Sequence, residues 1–143
     1  MKDSLATLSR IEKFNINEQR KILISLQDQQ EAFISELNNL NTQFETEKEF
    51  YRQHNMVGDF GAYVKKYLET KETLENKIAE LEQKIEQVRN IITDMFKEQK
   101  TYEIIDENRK KRIQQEEDLK LRKQLDEIGT NSYIKHHKEQ QGE

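Results

Sequence analysis

The chain has 143 residues, of which 36% are charged and 33% hydrophobic, and its formal net charge is −4. An average globular domain is about 25% charged and 45–50% apolar, so this composition disfavours a compact domain with a thick core. Proline and cysteine are absent and only 4 glycines occur, which disfavours turn-rich β-folds and excludes disulfide scaffolds and zinc–thiolate sites. The composition therefore predicts an all-α chain.

The first predicted helix runs from about Ser4 to Val57. Its apolar positions follow the alternating spacing of four and three residues that is typical of a coiled coil. These seam positions are Leu26, Gln30, Phe33, Leu37, Leu40 and Phe44. Gln30 is their one polar member, so the pattern predicts a helix that packs along one narrow stripe.

A tight turn is predicted near Gly58–Gly61, where two of the four glycines lie three positions apart. Gly58 can take the left-handed conformation that ends a helix, and Asp59 can cap the next one. Aromatic and aliphatic side chains crowd around this turn. We expect the tip to be formed by Met56, Val57, Phe60 and Tyr63, together with Phe50, Tyr51 and Tyr67.

The second predicted helix runs from about Phe60 to Ile128, and Gly129 is expected to end it. Its heptad seam consists of Leu74, Ile78, Leu81, Ile85, Val88, Ile92, Met95, Gln99 and Tyr102. The predicted domains are a two-helix antiparallel coiled-coil hairpin over residues 1–129 and a polar, disordered tail over residues 130–143. The second helix is longer, so we expect it to overhang the first.

A register for the hairpin follows if the chain folds back at Asp59, because the residue numbers of facing seam positions then add to 118. All six seam residues of the first helix then find partners in the second. The next layer pairs Glu47 with Lys71, and opposite charges at core positions are a known means of fixing register. Because both seams are satisfied within one chain, we expect a monomer.

A basic end is predicted where the two termini of the hairpin meet. Arg109, Lys110, Lys111 and Arg112 form a basic run, and the predicted register places them beside Arg10 and Lys13. Nucleic acid or an anionic membrane can attract such a cluster. Acidic residues flank the run on both sides, so we expect no nucleic-acid binding. The run either contacts an acidic protein partner or serves solubility.

Several isoleucines and one phenylalanine lie beside the seam. In heptad notation Ile22 and Ile91 are at g, Ile34 and Phe96 are at e, and Ile24 is at b. This apolar belt is wider than a two-stranded coil requires. Either the seam is locally wider, or the belt is exposed and docks another protein, as contiguous exposed apolar patches do.

Nothing in the sequence indicates catalysis. A two-stranded coil offers no cavity that excludes water, and phosphate-binding loops and nucleophile motifs are absent. The histidines are His54 near the tip and His136 and His137 in the tail, and we expect them to be solvated. The sequence thus predicts a protein that is not an enzyme and that uses no cofactor, metal or small-molecule substrate.

Three segments resemble the FliJ family of flagellar type III export proteins. They are the opening stretch at 5–14 (LATLSRIEKF), the mid-chain stretch at 59–64 (DFGAYV) and the stretch at 100–109 (KTYEIIDENR). The chain then closes with Asp126-Glu127-Ile128, as many members do. Related stalk proteins of virulence type III secretion systems have a similar pattern, so this second system stays open.

The resemblance implies a coiled coil like the central stalk of rotary ATP synthases. Family members insert the end with both termini into the hexameric export ATPase, contact the export gate in the membrane, and escort export chaperones. We therefore expect a cytoplasmic protein, held at the inner face of the cell membrane by its partners. The alternative is a general coiled-coil spacer or holdase whose apolar tip binds unfolded chains.

Overall fold

A computed structural model describes residues 2–54 and 60–141, and both ranges are helical. Helix α1 spans Lys2–His54 and has 53 residues, and helix α2 spans Phe60–Gln141 and has 82. The two helices pack against each other as an all-α hairpin. The predicted turn residues Gly58 and Asp59, with Met56 and Val57 of the tip, lie outside the described residues.

The chain divides into two compact units. The hairpin unit comprises Arg10–Glu98, and the terminal unit combines residues 1–9 with residues 99–143. Several ion pairs among the described residues join side chains three or four positions apart on the surface of one helix, for example Lys21 with Glu18 at 2.9 Å. Such pairs contribute only about 0.2–0.5 kcal/mol each, so packing along the seam holds the hairpin unit together.

The heptad seams predicted from the sequence are confirmed by burial in the hairpin unit. All six predicted seam residues of α1 are half-buried. In α2, Leu74, Leu81, Ile85 and Val88 are buried, and Ile85 is only 1% exposed. Seam residues recur every three or four positions, which places them on one face of each helix. The core of the hairpin unit is thus a single row of side chains along the interface between the two helices.

The register differs from the predicted one by seven residues. Phe44 stacks on Tyr67 with 4.0 Å between ring centroids, and Tyr51 packs on Phe60 at 4.9 Å. The residue numbers of both pairs add to 111, whereas the expected register required 118. A shift of seven residues keeps every seam position on the seam, so the heptad pattern alone could not exclude it.

Polar side chains favour the observed register. The Gln30 amide nitrogen donates to the carbonyl oxygen of Ile78 at 3.4 Å and to Oε2 of Glu82 at 2.8 Å. The Tyr67 hydroxyl donates to Oδ1 of Asn41 at 2.6 Å. In the expected register Gln30 would face Val88, and leaving a buried polar group without its partner costs about 1–3 kcal/mol.

Glu47 and Lys71 do not share a layer in this register. The Lys71 ammonium lies 5.9 Å from the centroid of the Tyr67 ring in its own helix. Burial raises the pKa of Tyr63, and the negative charge of Glu47 raises it further. The polar contacts that distinguish the two registers are therefore those of Gln30 and Asn41.

In the terminal unit, α2 continues through Gly129 to Gln141, so the expected stop at Gly129 is wrong and residues 130–141 are helical. Glycine costs a helix only about 1 kcal/mol relative to alanine. Every side chain from Lys110 to Gln140 is exposed, so no described part of the chain covers this stretch of α2. Within the described ranges, no helix is long and apolar enough to cross a membrane.

Candidate functional site

The apolar belt predicted beside the seam is exposed to solvent. Ile24 is 57% exposed, and the other members are between 40% and 46% exposed. These other members are Ile22, Ile34, Ile91 and Phe96. A wider seam would bury them, so their exposure favours the alternative interpretation, in which they are available to another protein.

The contacts between the helices divide this belt into two lateral faces. Residues at e and b positions of both helices lie on one side of the seam, as shown by the Arg20 guanidinium, which lies 5.2 Å from the centroid of the Phe96 ring. Residues at g positions lie on the other side. Ile24, Ile34 and Phe96 therefore belong to one face, and Ile22 and Ile91 to the other.

We call the first of these faces the e/b face. Its apolar members are Ile24, Ile34, Phe96 and Leu68, which occupies an e position and is 54% exposed. Its exposed charged members in the hairpin unit are six glutamates and seven cations, namely Glu31, Glu45, Glu72, Glu75, Glu82 and Glu86 and Arg10, Lys13, Arg20, Lys48, Arg52, Lys65 and Arg89. The glutamates lie along the middle of the face and the cations toward its two ends, so the face as a whole has no excess of negative charge.

Several charged residues of the e/b face have contacts within the chain. Arg89 pairs with Glu86 of its own helix at 3.5 Å, and Arg20 covers one side of the Phe96 ring. Glu82 accepts a hydrogen bond from Gln30, but its side chain stays exposed.

The opposite face also carries charges of both signs. Ile22 and Ile91 share their g positions with Lys77 and Lys84, and Lys77 lies 5.2 Å from the centroid of the Phe33 ring. Glu36 also occupies a g position on this face. The two faces therefore differ little in charge.

The basic residues predicted to contact a partner are divided between the two units. Arg10 and Lys13 are exposed in the hairpin unit, and Lys110, Lys111 and Arg112 are exposed in the terminal unit. In the terminal unit, Lys110 pairs with Asp106 at 3.1 Å. Arg109 is half-buried, and its buried Nη1 atom has no hydrogen-bond partner among the described residues.

Aromatic rings cluster where α1 ends and α2 begins. Phe44 stacks with Phe60 at 6.3 Å and with Tyr63 at 6.2 Å between ring centroids. Both partners are half-buried, so the described part of the predicted tip closes the hairpin. Phe50 instead stacks on His54 at 4.2 Å and stays 46% exposed. Most of the rings in the described part of this cluster therefore contact one another, and Phe50 is more exposed to a partner than they are.

Two carboxyl groups meet across the seam of the hairpin unit. Burial raises the pKa of the half-buried Glu12 above its ordinary value of 4.5, and the charge of Glu98 and a hydrogen bond to its side chain raise it further. A raised folded-state pKa means that the folded state holds this proton more tightly than the unfolded state. The stabilisation of the folded state by this proton is complete below pH 4.5, and it is lost as the pH rises through the raised pKa of Glu12.

We therefore expect Glu12→Gln to raise the Tm at pH 7 and to leave it unchanged at pH 4. The amide removes the repulsion between the carboxylates and needs no proton to do so. Circular dichroism melts at the two pH values measure the difference, with the exposed Glu45→Gln as a matched control. An equal gain at both pH values would show that the effect of the substitution does not come from ionisation.

The heptad positions contain the signal that divides the belt into two lateral faces, because e and b residues of both helices share one side of an antiparallel pair. Among residues 2–54 and 60–141, no group of three or more His, Cys, Asp or Glu side chains is placed to hold a metal ion. The chain matches no family model, no curated protein and no solved structure.

Proposed function

We propose that this protein is a non-enzymatic, stalk-like component of a flagellar type III protein export apparatus. The all-α hairpin of two long helices supports the proposal, because the resemblance at residues 5–14, 59–64 and 100–109 implies this architecture. In this proposal the protein is cytoplasmic, and its partners hold it at the inner face of the membrane.

The observation that carries the proposal is the exposed end of α2. From Lys110 to Gln140 every side chain is exposed, over a length of roughly 45 Å at 1.5 Å per residue. Leu119, Leu121 and Leu125 are each more than half exposed within this stretch. A helix of this length with uncovered leucines and a basic run at its start is suited to insertion into a ring of subunits.

The partners in this proposal are the hexameric export ATPase, the export gate in the membrane and export chaperones. The ATPase ring receives the terminal unit, with the basic residues at 109–112 near its acidic groups. The apolar belt lies in the hairpin unit, so it stays available for the gate or for a chaperone. This division gives each partner its own surface on the chain.

The test is a charge reversal in the basic run. We expect Lys111→Glu with Arg112→Glu to lower stimulation of the purified export ATPase from the same cells at least fivefold, because two cations become carboxylates in the contact. Both residues are exposed, so helicity should persist. Lys65→Glu with Lys66→Glu makes the same charge change at exposed residues of the hairpin unit, so it should leave stimulation unchanged and serves as the control.

A hairpin that neither binds nor stimulates the export ATPase would contradict the proposal. Suppression of aggregation of unrelated unfolded proteins, without any ATPase, would instead support the holdase alternative. The identity of the hexameric ATPase recovered from native cells distinguishes a flagellar from a virulence secretion system, because the export ATPases of the two systems are different proteins.

A further inference from the structure

We propose that two copies of the chain pack the e/b faces of their hairpin units against each other, antiparallel and related by a twofold axis beside Ile24. The heptad seams already pack within one chain, so each hairpin folds by itself and the second copy covers a lateral face only. The inference goes beyond the proposed function, and its test needs no ATPase. Ile22 and Ile91 lie on the opposite face, so other partners can still reach them in the dimer.

The first argument is the order of charges along the e/b face. Its glutamates lie along the middle and its cations toward the two ends, so a partner of one charge sign meets like charges somewhere along the face. A second copy complements the face when it is turned end to end and shifted. The cationic end of each hairpin, which begins at Arg10, then lies over the acidic middle of the other. Complementary charges of this kind fix the alignment of two surfaces.

The alignment follows from the observed register, which gives each residue of α2 a level in α1. The levels that matter are those of Glu75 with Glu36, Glu82 with Gln29, and Phe96 with Asn15. A twofold axis sets two levels opposite each other in the two copies when they lie equally far from it on either side. With the axis beside Ile24, the level of Glu36 therefore lies opposite Lys13 of the second copy.

Two ion pairs result, and the symmetry repeats each of them. Lys13 meets Glu75 of the second copy, and Arg20 meets its Glu82. All four side chains are exposed and occupy e positions beside the groove between the helices. Side chains at e from α1 and α2 already meet there, as Arg20 and Phe96 show at 5.2 Å. A second hairpin lying on this groove thus brings cations and carboxylates within reach of each other.

The same alignment covers apolar side chains. Phe96 lies opposite Ile34 of the second copy, and Ile24 lies beside its own counterpart at the axis. In the single chain Phe96, Ile34 and Ile24 are 42%, 40% and 57% exposed. The twofold symmetry therefore brings six large apolar side chains into the interface. Leu68, which is level with Gln43, lies beyond the overlap.

Other alignments of the two faces lose these pairs. Arg89 is level with Ile22 in α1. A shift of the second copy by one heptad sets Arg20 opposite Arg89 in one direction, and Ile34 opposite Arg89 in the other. A parallel twofold arrangement also sets Arg20 beside Arg89. Like charges and an apolar residue facing a cation are unfavourable, so the antiparallel alignment about Ile24 is the one that the charges select.

The overlap is long enough for a stable dimer. It runs from the level of Arg10 to that of Asn39 in α1, which is roughly 45 Å at helical rise, and it is two helices or about 20 Å wide. Each copy thus covers on the order of 900 Å², whereas stable interfaces bury about 800 Å² per partner.

Sedimentation equilibrium of the full chain tests for the dimer. We expect the mean mass to rise from 17.2 kDa toward twice that value between about 1 and 200 µM, because interfaces of this size give micromolar or tighter affinity. A mass that stays at 17.2 kDa over this range would overturn the proposal.

A charge swap then tests the alignment. Lys13→Glu sets two carboxylates opposite each other and Glu75→Lys sets two ammonium groups opposite each other, so each variant alone should dimerise at least fivefold more weakly. An equimolar mixture of the two variants has opposite charges in both layers, and its dimerisation should return to within twofold of the native chain. Lys84→Glu, an exposed change on the opposite face, should alter dimerisation less than twofold. A mixture that stays as weak as its components would contradict this alignment.

Cysteines provide a second test that changes no charge. Ile24→Cys lies beside the twofold axis, and a disulfide requires α-carbons within about 7 Å. We expect Ile24→Cys to form disulfides between chains at least tenfold faster than Ile22→Cys, its control on the opposite face. The chain has no cysteine of its own, so non-reducing gels show these cross-links directly. Equal rates for the two variants would overturn the proposal.

Discussion

Ile85→Asp should unfold the hairpin unit. Ile85 is 1% exposed in the centre of the seam, and aspartate there loses the apolar contacts and places a carboxylate between two helices. We expect the free energy of unfolding to fall by about 4 kcal/mol. Small domains have a free energy of unfolding of only about 5–15 kcal/mol, so this substitution removes a large part of it.

Thermal melts followed by circular dichroism at 222 nm measure this effect, and a drop in Tm of about 20 °C is expected. Gln87→Asp introduces the same side chain two positions further along α2, at an exposed site. This control should change the Tm by less than about 3 °C. Equal melting of the two variants would show that Ile85 is not in the core.

The register should be visible as a choice between two disulfides. The contacts Phe44–Tyr67 and Tyr51–Phe60, extended by one heptad, place Leu37 opposite Leu74. The chain has no native cysteine, so any disulfide that forms joins introduced cysteines. We expect Leu37→Cys with Leu74→Cys to cross-link within one chain nearly completely under mild oxidation.

The comparison variant is Leu37→Cys with Leu81→Cys, which matches the register expected from the sequence. Seven residues of helix separate Leu74 from Leu81, about 10 Å, and a disulfide requires α-carbons within about 7 Å. This second pair should therefore remain reduced within the monomer. Rapid and complete oxidation of the Leu37–Leu81 pair would favour the register expected from the sequence. Cross-links only between chains would argue against a hairpin.

The fold could be predicted because the heptad spacing is a strong signal in a chain without proline. As expected, the seam residues from Leu26 to Phe44 are half-buried, and Leu74, Leu81, Ile85 and Val88 of the second seam are buried. The register could not be predicted, because a shift of one heptad leaves all apolar layers intact. What separates the registers is a few specific contacts, such as Gln30 with Glu82, and spacing alone does not show these.

The end of α2 was missed for a related reason. Gly129 was interpreted as a helix stop, but a glycine ends a helix only where the chain turns away. In the structure, the helix continues through it. For the candidate surfaces, heptad positions predicted which isoleucines stand beside the seam, whereas their exposed fractions required the structure. The division of the belt into two lateral faces depends on both helices and on their alignment.

The aromatic cluster at the closed end of the hairpin has a consequence for how the chain folds. Tyr51 and Phe60 are only nine positions apart in sequence, and their rings are in contact. Closing a short loop costs less chain entropy than closing a long one, so this contact forms before those between distant layers. Each later layer then joins residues that the previous layer has already brought close. We expect folding to proceed as a zipper from the aromatic cluster toward Arg10 and Glu98. Substitutions at the cluster should therefore slow folding, whereas those near Glu12 should mainly speed unfolding.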